Sequence, residues 1–137
     1  MNKQFYFFGL IFSLIFTTLF SCGKMYHQED IIGIWKGEHQ GKELLFEFKS
    51  DQTCVLSFSD KILATTVILS GNFETDFSKK PIMLSVRNIT QLNHPLHTIL
   101  EFVNGNSIRI ASFVPRWKLR PISFDLNTSM ELKRVNN

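Results

Sequence analysis

Lys42-Glu43-Leu44-Leu45-Phe46-Glu47-Phe48-Lys49, then Ser50-Asp51-Gln52, then Thr53-Cys54-Val55-Leu56-Ser57-Phe58: this stretch decides the fold. Leu44, Phe46 and Phe48 recur at every second position, which places them on one face of an extended chain. Cys54, Leu56 and Phe58 repeat the pattern beyond a polar turn. Two period-2 apolar arms around a short turn describe an antiparallel hairpin with one buried face.

The same pattern continues on both sides of the hairpin. Ile32 to His39 precedes it, and Thr65 to Phe73 follows, rich in β-branched residues. Ile82, Leu84 and Val86 alternate with Met83 and Ser85. Leu96 to Val103 and Ser107 to Val114 flank Asn104-Gly105-Asn106, a hairpin turn, and Met130 to Val135 is the last run. Asp76 to Pro81 and Asn88 to Pro95 read as polar connections, and Pro115 to Asn127, with Pro115 and Pro121, as an irregular loop. Eight strands and no convincing helix predict an all-β chain, a small antiparallel up-and-down eight-stranded β-barrel. Closure removes the exposed sheet edges. Phe46, Phe48, Phe58, Phe73 and Phe102 are the large residues expected to point inward, so much of the interior is expected to be filled.

Residues 1–21 carry a different signal. Lys3 and the α-amino group form a weakly positive start, and Phe5 to Phe20 is apolar. As a helix these 16 residues span about 24 Å, short of the ~30 Å hydrocarbon core. The segment ends in Leu19-Phe20-Ser21-Cys22, which resembles a bacterial lipobox, the site of signal-peptide cleavage and lipidation of the new N-terminal cysteine. This resemblance implies 1–21 as a lipoprotein signal peptide, Cys22 as the lipid attachment site and 22–30 as a polar tether before a domain at 31–137. The plainer readings are an ordinary Cys22 thiol after a cut elsewhere, or an uncleaved anchor. Gly23-Lys24 follows the cysteine in place of Asp, and resemblance to the sorting rules of Gram-negative lipoproteins implies the periplasmic face of the bacterial outer membrane within the cell envelope.

Without residues 1–21 the chain keeps 116 residues, enough for one small domain. Six of the 14 Phe fall at or before Phe20, so the aromatic excess belongs partly to the leader. The formal net charge of +3 falls to +2 without Lys3, too mild for a nucleic-acid partner. Cys54 is the only cysteine besides Cys22. With Cys22 lipidated no intramolecular disulfide is available, and Cys54 in its apolar alternation reads as a buried small hydrophobe.

Gly33-Ile34-Trp35 opens the first strand, and Lys133-Arg134 lies in the last. A G-x-W at the first strand with a basic residue near the final strand is similar to the lipocalin and calycin pattern. Gly71-Asn72-Phe73, the Asp76-to-Pro81 loop, Arg120-Pro121 and Glu131-Leu132-Lys133-Arg134 resemble small bacterial lipocalin-like proteins, over residues 31 to 135. The resemblance implies a structural role in barrel closure for Gly33, Trp35 and Arg134, with the cation packed across the indole ring. Arg134 shares a face with Met130 and Leu132, which favours it over Lys133.

Arg116-Trp117-Lys118-Leu119-Arg120 is the densest basic and aromatic cluster. It reads as a contact for a ligand or an anionic membrane, as a lid over the barrel mouth, or as a solvated loop with Trp117 packed on the barrel. His94 and His97 flank Pro95-Leu96, but a zinc site needs three or four ligands and no partner motif follows. G-x-S-x-G, P-loop and H-E-x-x-H motifs are missing, and the acidic residues are scattered, so no catalytic residue, metal or cofactor is expected. The expected function is noncatalytic: a lipid-anchored envelope protein binding a small hydrophobic or amphipathic ligand or lipid. The alternative is an interaction module for an envelope protein, an inhibitor or accessory subunit with a filled barrel.

Overall fold

A computed structural model describes residues 23–136. The apolar segment at 5–20 and Cys22 lie outside the described residues. A 3-10 helix at Gln28–Ile31 leads into nine strands: β1 Gly33–His39, β2 Lys42–Phe48, β3 Thr53–Asp60, β4 Thr65–Asp76, β5 Ile82–Arg87, β6 Leu96–Asn104, β7 Ser107–Ala111, β8 Val114–Pro115 and β9 Ser129–Arg134.

The strands form one antiparallel sheet in the order β5-β4-β3-β2-β1-β9-β7-β6-β8, and β5 also pairs with β6. That pairing joins Ile82 to Leu100 and Val86 to Leu96, and it closes a ring of eight strands. The closed eight-stranded barrel is compatible with a lipocalin-like fold. β8 is a two-residue continuation of the β7 side: the chain leaves the ladder after Ala111 and returns with Val114 opposite His97. The buried Thr98 hydroxyl donates to the Ala111 carbonyl at 2.7 Å beside this break.

The founding hairpin pairs as its period requires, with Phe48 opposite Cys54, Phe46 opposite Leu56 and Leu44 opposite Phe58. β1 and β2 meet in a two-residue turn in which Gln40 and Gly41 both have positive φ, 50° and 76°, as a type I′ connection demands. β4 runs three residues beyond the expected Phe73, through Asp76, because Thr75 pairs with Leu84 and Asp76 with Met83.

The interior is packed with large side chains. Trp35, Phe46, Phe48, Leu56, Leu84, Leu100, Ile108, Ile110 and Leu132 have no solvent exposure, and Phe73 is 1% exposed. Phe48 and Phe73 meet edge to face at 5.0 Å, as do Phe46 and Phe58 at 5.2 Å and Phe46 and Phe113 at 5.9 Å. Each such side chain contributes about 1.5–3 kcal/mol by leaving water. Of the five phenylalanines expected inside, Phe46, Phe48 and Phe73 are buried, while Phe58 and Phe102 are half-buried at opposite ends.

The up-and-down path defines two ends. The near end holds the 3-10 helix, the β2–β3 and β6–β7 turns and the β4–β5 loop. The far end holds the β1–β2 and β3–β4 turns, the β5–β6 connection and the long segment between β8 and β9. The residues read as a polar tether are not all free of the barrel. Tyr26 stacks on Phe102 at 4.2 Å, and Asp30 gives its carbonyl to Arg134. Ile31, the first residue of the expected domain, is fully buried at the close of the 3-10 helix.

Candidate functional site

At the near end, Trp35 and Arg134 are opposite one another in the β1–β9 pairing. The Arg134 guanidinium lies over the Trp35 ring, 4.2 Å from its centre. It also donates to the Ile32 carbonyl at 2.6 Å and to the Asp30 carbonyl. The Trp35 indole N–H donates to the Ile31 carbonyl at 2.8 Å. Two side chains thus hold three consecutive carbonyls of the entering chain. Gly33 makes room for them: its φ is +133°, and a Cβ there would lie 2.6 Å from Arg134 Nη1. Every group in this cluster is engaged by another, so it closes the barrel and offers no open valence to a substrate.

The Arg116–Arg120 cluster is divided by the structure. The chain emerges at the far end after β8 and folds back over the outer wall of β5 to β7. Arg120 points into that wall. Its Nη1 donates to the carbonyls of Leu84 at 2.8 Å and Thr98 at 2.7 Å. Its Nη2 donates to Ser85 Oγ at 2.9 Å and reaches His97 Nδ1 at 3.0 Å. This differs from the expectation of a ligand or membrane contact for Arg120: the partner of its charge is the barrel itself. An arginine can only donate, so Nδ1 of His97 carries the lone pair and the ring proton sits on Nε2. Desolvation, then the charges of Arg120, Arg87 and Arg116, holds the His97 pKa below its ordinary value. Burial also draws the Arg120 pKa down.

Arg116, Trp117 and Lys118 remain outside. Trp117 is 70% exposed, and its ring lies 4.5 Å from the His94 ring in the β5–β6 connection. Leu119, Ile122 and Leu126 are exposed by 94%, 86% and 96%. Ile62 and Leu63, on the β3–β4 turn, are also exposed at the far end. Arg87, Pro95, His97 and Arg116 line a cleft of about 290 Å³ on the wall beside this loop. Within the loop it is Arg120 that ties the chain to the outer wall of β5 and β6.

Sequence reasoning missed Tyr26, Ser85, His97 and Arg87 as members of these clusters. Ser85 and His97 are opposite one another on the outer face of β5 and β6, where polar residues are ordinary and carry no signal. Cys54 is buried and free, and desolvation pushes its thiol up to about 11. Among the described residues no group of three or more His, Cys, Asp or Glu is placed to hold a metal ion, and no helix is long and apolar enough to cross a membrane. Comparison with protein-family models, with curated proteins and with solved structures gives no match.

Proposed function

We propose that this chain is a lipid-anchored cell-envelope protein, noncatalytic, whose barrel is a solid frame that presents the 116–126 loop to an envelope protein. The anchor reading rests on Leu19-Phe20-Ser21-Cys22. The observation that carries the interaction reading is the contrast between a filled interior and an exposed apolar set, Trp117, Leu119, Ile122 and Leu126, pinned to the wall by Arg120. A loop tied to the wall through one guanidinium while four large apolar side chains stay in water is organised for contact. Trp and Arg at its centre are the residue types that dominate interface energetics, and Arg116 and Lys118 favour an acidic partner.

A photo-crosslinking amino acid placed at Leu119 or Ile122 in cells tests this, with Lys36 on the outer face of β1 as control. A discrete protein adduct from both loop positions and not from Lys36 is expected. Adducts to lipid alone transfer the loop to a membrane surface, and no adduct removes the interaction reading. Labelled palmitate incorporation, lost in Cys22→Ala, tests the anchor. Incorporation that is unchanged in that variant overturns it.

A second reading, binding of a small amphipathic ligand or lipid, is favoured by a separate observation. A cleft of about 520 Å³ at the near end joins aromatic walls to a lysine rim.

A further inference from the structure

We infer that this near-end cleft is a binding site for a single anionic amphiphile, an acyl chain bearing a carboxylate or phosphate head. The inference rests on the amphiphile reading above and gives it a place and a ligand chemistry. It is independent of the far-end loop.

The cleft lies where the entering chain, the β4–β5 loop and β6 come together. Its apolar wall is built around Phe102. Tyr26 stacks on that ring at 4.2 Å, Phe77 lies 6.4 Å away at 30°, and Trp35 meets it edge-on at 6.3 Å. Ile82 and Leu100 continue the same surface inward. Tyr26, Phe77 and Phe102, with Ile82 and Leu100, make the lining mainly apolar, and the fully buried Trp35 backs Phe102 from behind. Such a lining suits a hydrocarbon chain, and the volume is in the range of small-ligand clefts.

The rim is cationic for a reason that can be traced in the sequence. Asp76 accepts from the Ser78 backbone N–H at 2.9 Å and from the Ser78 hydroxyl, which closes a tight turn after β4. The turn directs Phe77 to the aromatic cluster and leaves Lys79 and Lys80 exposed beside the cleft. Lys24 joins them from the entering chain, its ammonium 5.2 Å from the Tyr26 ring centre. The acids nearby are already engaged. Glu101, which lines the cleft, pairs with Arg109 at 2.9 Å, and Asp76 is held by Ser78 with the Lys79 charge close to it. Among the described residues none of the three lysines forms an ion pair. Three ammonium groups around an aromatic slot match a head of negative charge and reject a zwitterion, whose own cation would be placed among theirs.

The test uses the full-length chain in nanodiscs of zwitterionic phosphatidylcholine. Photoreactive fatty acid, photoreactive phosphatidylglycerol and photoreactive phosphatidylcholine are each added at equal amounts, and labelled peptides are mapped by mass spectrometry. The expected result is labelling of 24–26, 77–82 and 100–102 by an anionic probe, about fivefold or more above phosphatidylcholine. In Lys79→Glu/Lys80→Glu, whose fold is checked by circular dichroism, this labelling falls by a similar factor, about fivefold. Labelling by both anionic probes establishes recognition of the shared charge, and labelling by one alone assigns the head as carboxylate or phosphate. Anionic labelling that maps to other parts of the chain, or that persists in the charge-reversed variant, overturns this site and leaves amphiphile binding standing. Equal labelling of these segments by all three probes overturns the anionic specificity and leaves amphiphile binding standing, and labelling by none of them overturns both.

Discussion

Arg120→Ala is expected to release the 116–126 loop from the barrel while leaving the barrel closed. The side chain donates to two strand carbonyls, to Ser85 Oγ and to His97 Nδ1. A hydrogen bond from a charged donor contributes about 1.5–3 kcal/mol when its partner is left dry, and less when water replaces it. Ser85 and His97 keep each other at 3.0 Å, so only the two carbonyls lose a partner without an alternative nearby. Two such bonds at a half-buried site give a loss of about 2–3 kcal/mol, or roughly 8–12 °C in Tm for a domain of this size. Lysine cannot present two donors in a fork, so Arg120→Lys is expected to recover less than half of that. Urea unfolding followed by circular dichroism reads the stability, and limited trypsin cleavage after Arg116 and Lys118 reads the loop. The expected variant has a lower midpoint, an unchanged urea slope and faster cleavage at both sites. If Arg120→Ala unfolds within about 0.5 kcal/mol of the parent and is cleaved no faster, the guanidinium is not what holds the loop.

Three further outcomes follow from the same geometry. Gly33→Ala must place a side chain at φ +133° and displace Arg134, a loss of about 2 kcal/mol or more. In an Arg134→Ala background the same change is expected to cost measurably less, which a double-mutant cycle in urea detects. With its pKa near 11, the Cys54 thiol is about one part in a thousand ionised at pH 8. Alkylation of the Cys54 peptide is therefore expected to be slow in the native protein and fast in denaturant, and equal rates refute its burial. The folded His97 titrates below its unfolded value, so the unfolded chain binds the extra proton first as pH falls. Its contribution is intact above about pH 6.5 and declines as acid is added through the lowered pKa. Tm is expected to fall from pH 7 to pH 5 more steeply in the parent than in His97→Gln, and parallel profiles refute the linkage.

The strands were readable because each inward residue obeys one local rule. Leu44, Phe46 and Phe48 alternate with Glu43, Leu45 and Glu47, and the pleat turns that alternation directly into burial. Parity also singled out Arg134 over Lys133, and the same pleat puts Arg134 opposite Trp35. Arg120 obeyed no such rule. It sits in an irregular segment, and its partners Leu84, Ser85, His97 and Thr98 come from two strands 22 to 36 residues earlier. Two of those partners are backbone carbonyls, which every sequence supplies. Tyr26 was hidden differently: one aromatic in a polar stretch has no period, and only the half-open end of the barrel around Phe102 gives it a place.

With Cys22 lipidated as proposed, the two ends of the barrel meet different surroundings. Tyr26 is fixed on Phe102 and lies four positions after Cys22, a reach of about 14 Å at full extension. With Cys22 lipidated as proposed, the near end and its lysine rim are held against the head groups, close enough for their charge to be felt across a Debye length of ~8 Å. The loop begins and ends at the other end. A seven-residue strand such as β1 rises about 23 Å, or roughly 18 Å along the axis of a barrel whose strands tilt by ~40°. At that distance the charge of the anchoring bilayer is screened to a small fraction, so Arg116 and Lys118 gain nothing from it. On the proposed anchor and interaction readings, the cations that answer to the membrane are therefore Lys24, Lys79 and Lys80, and those of the loop are left to a partner that approaches from the envelope side. Neutralising either set is expected to leave the other's binding unchanged. A common loss of lipid labelling and of the loop adduct in either variant would mean that the two ends act as one surface.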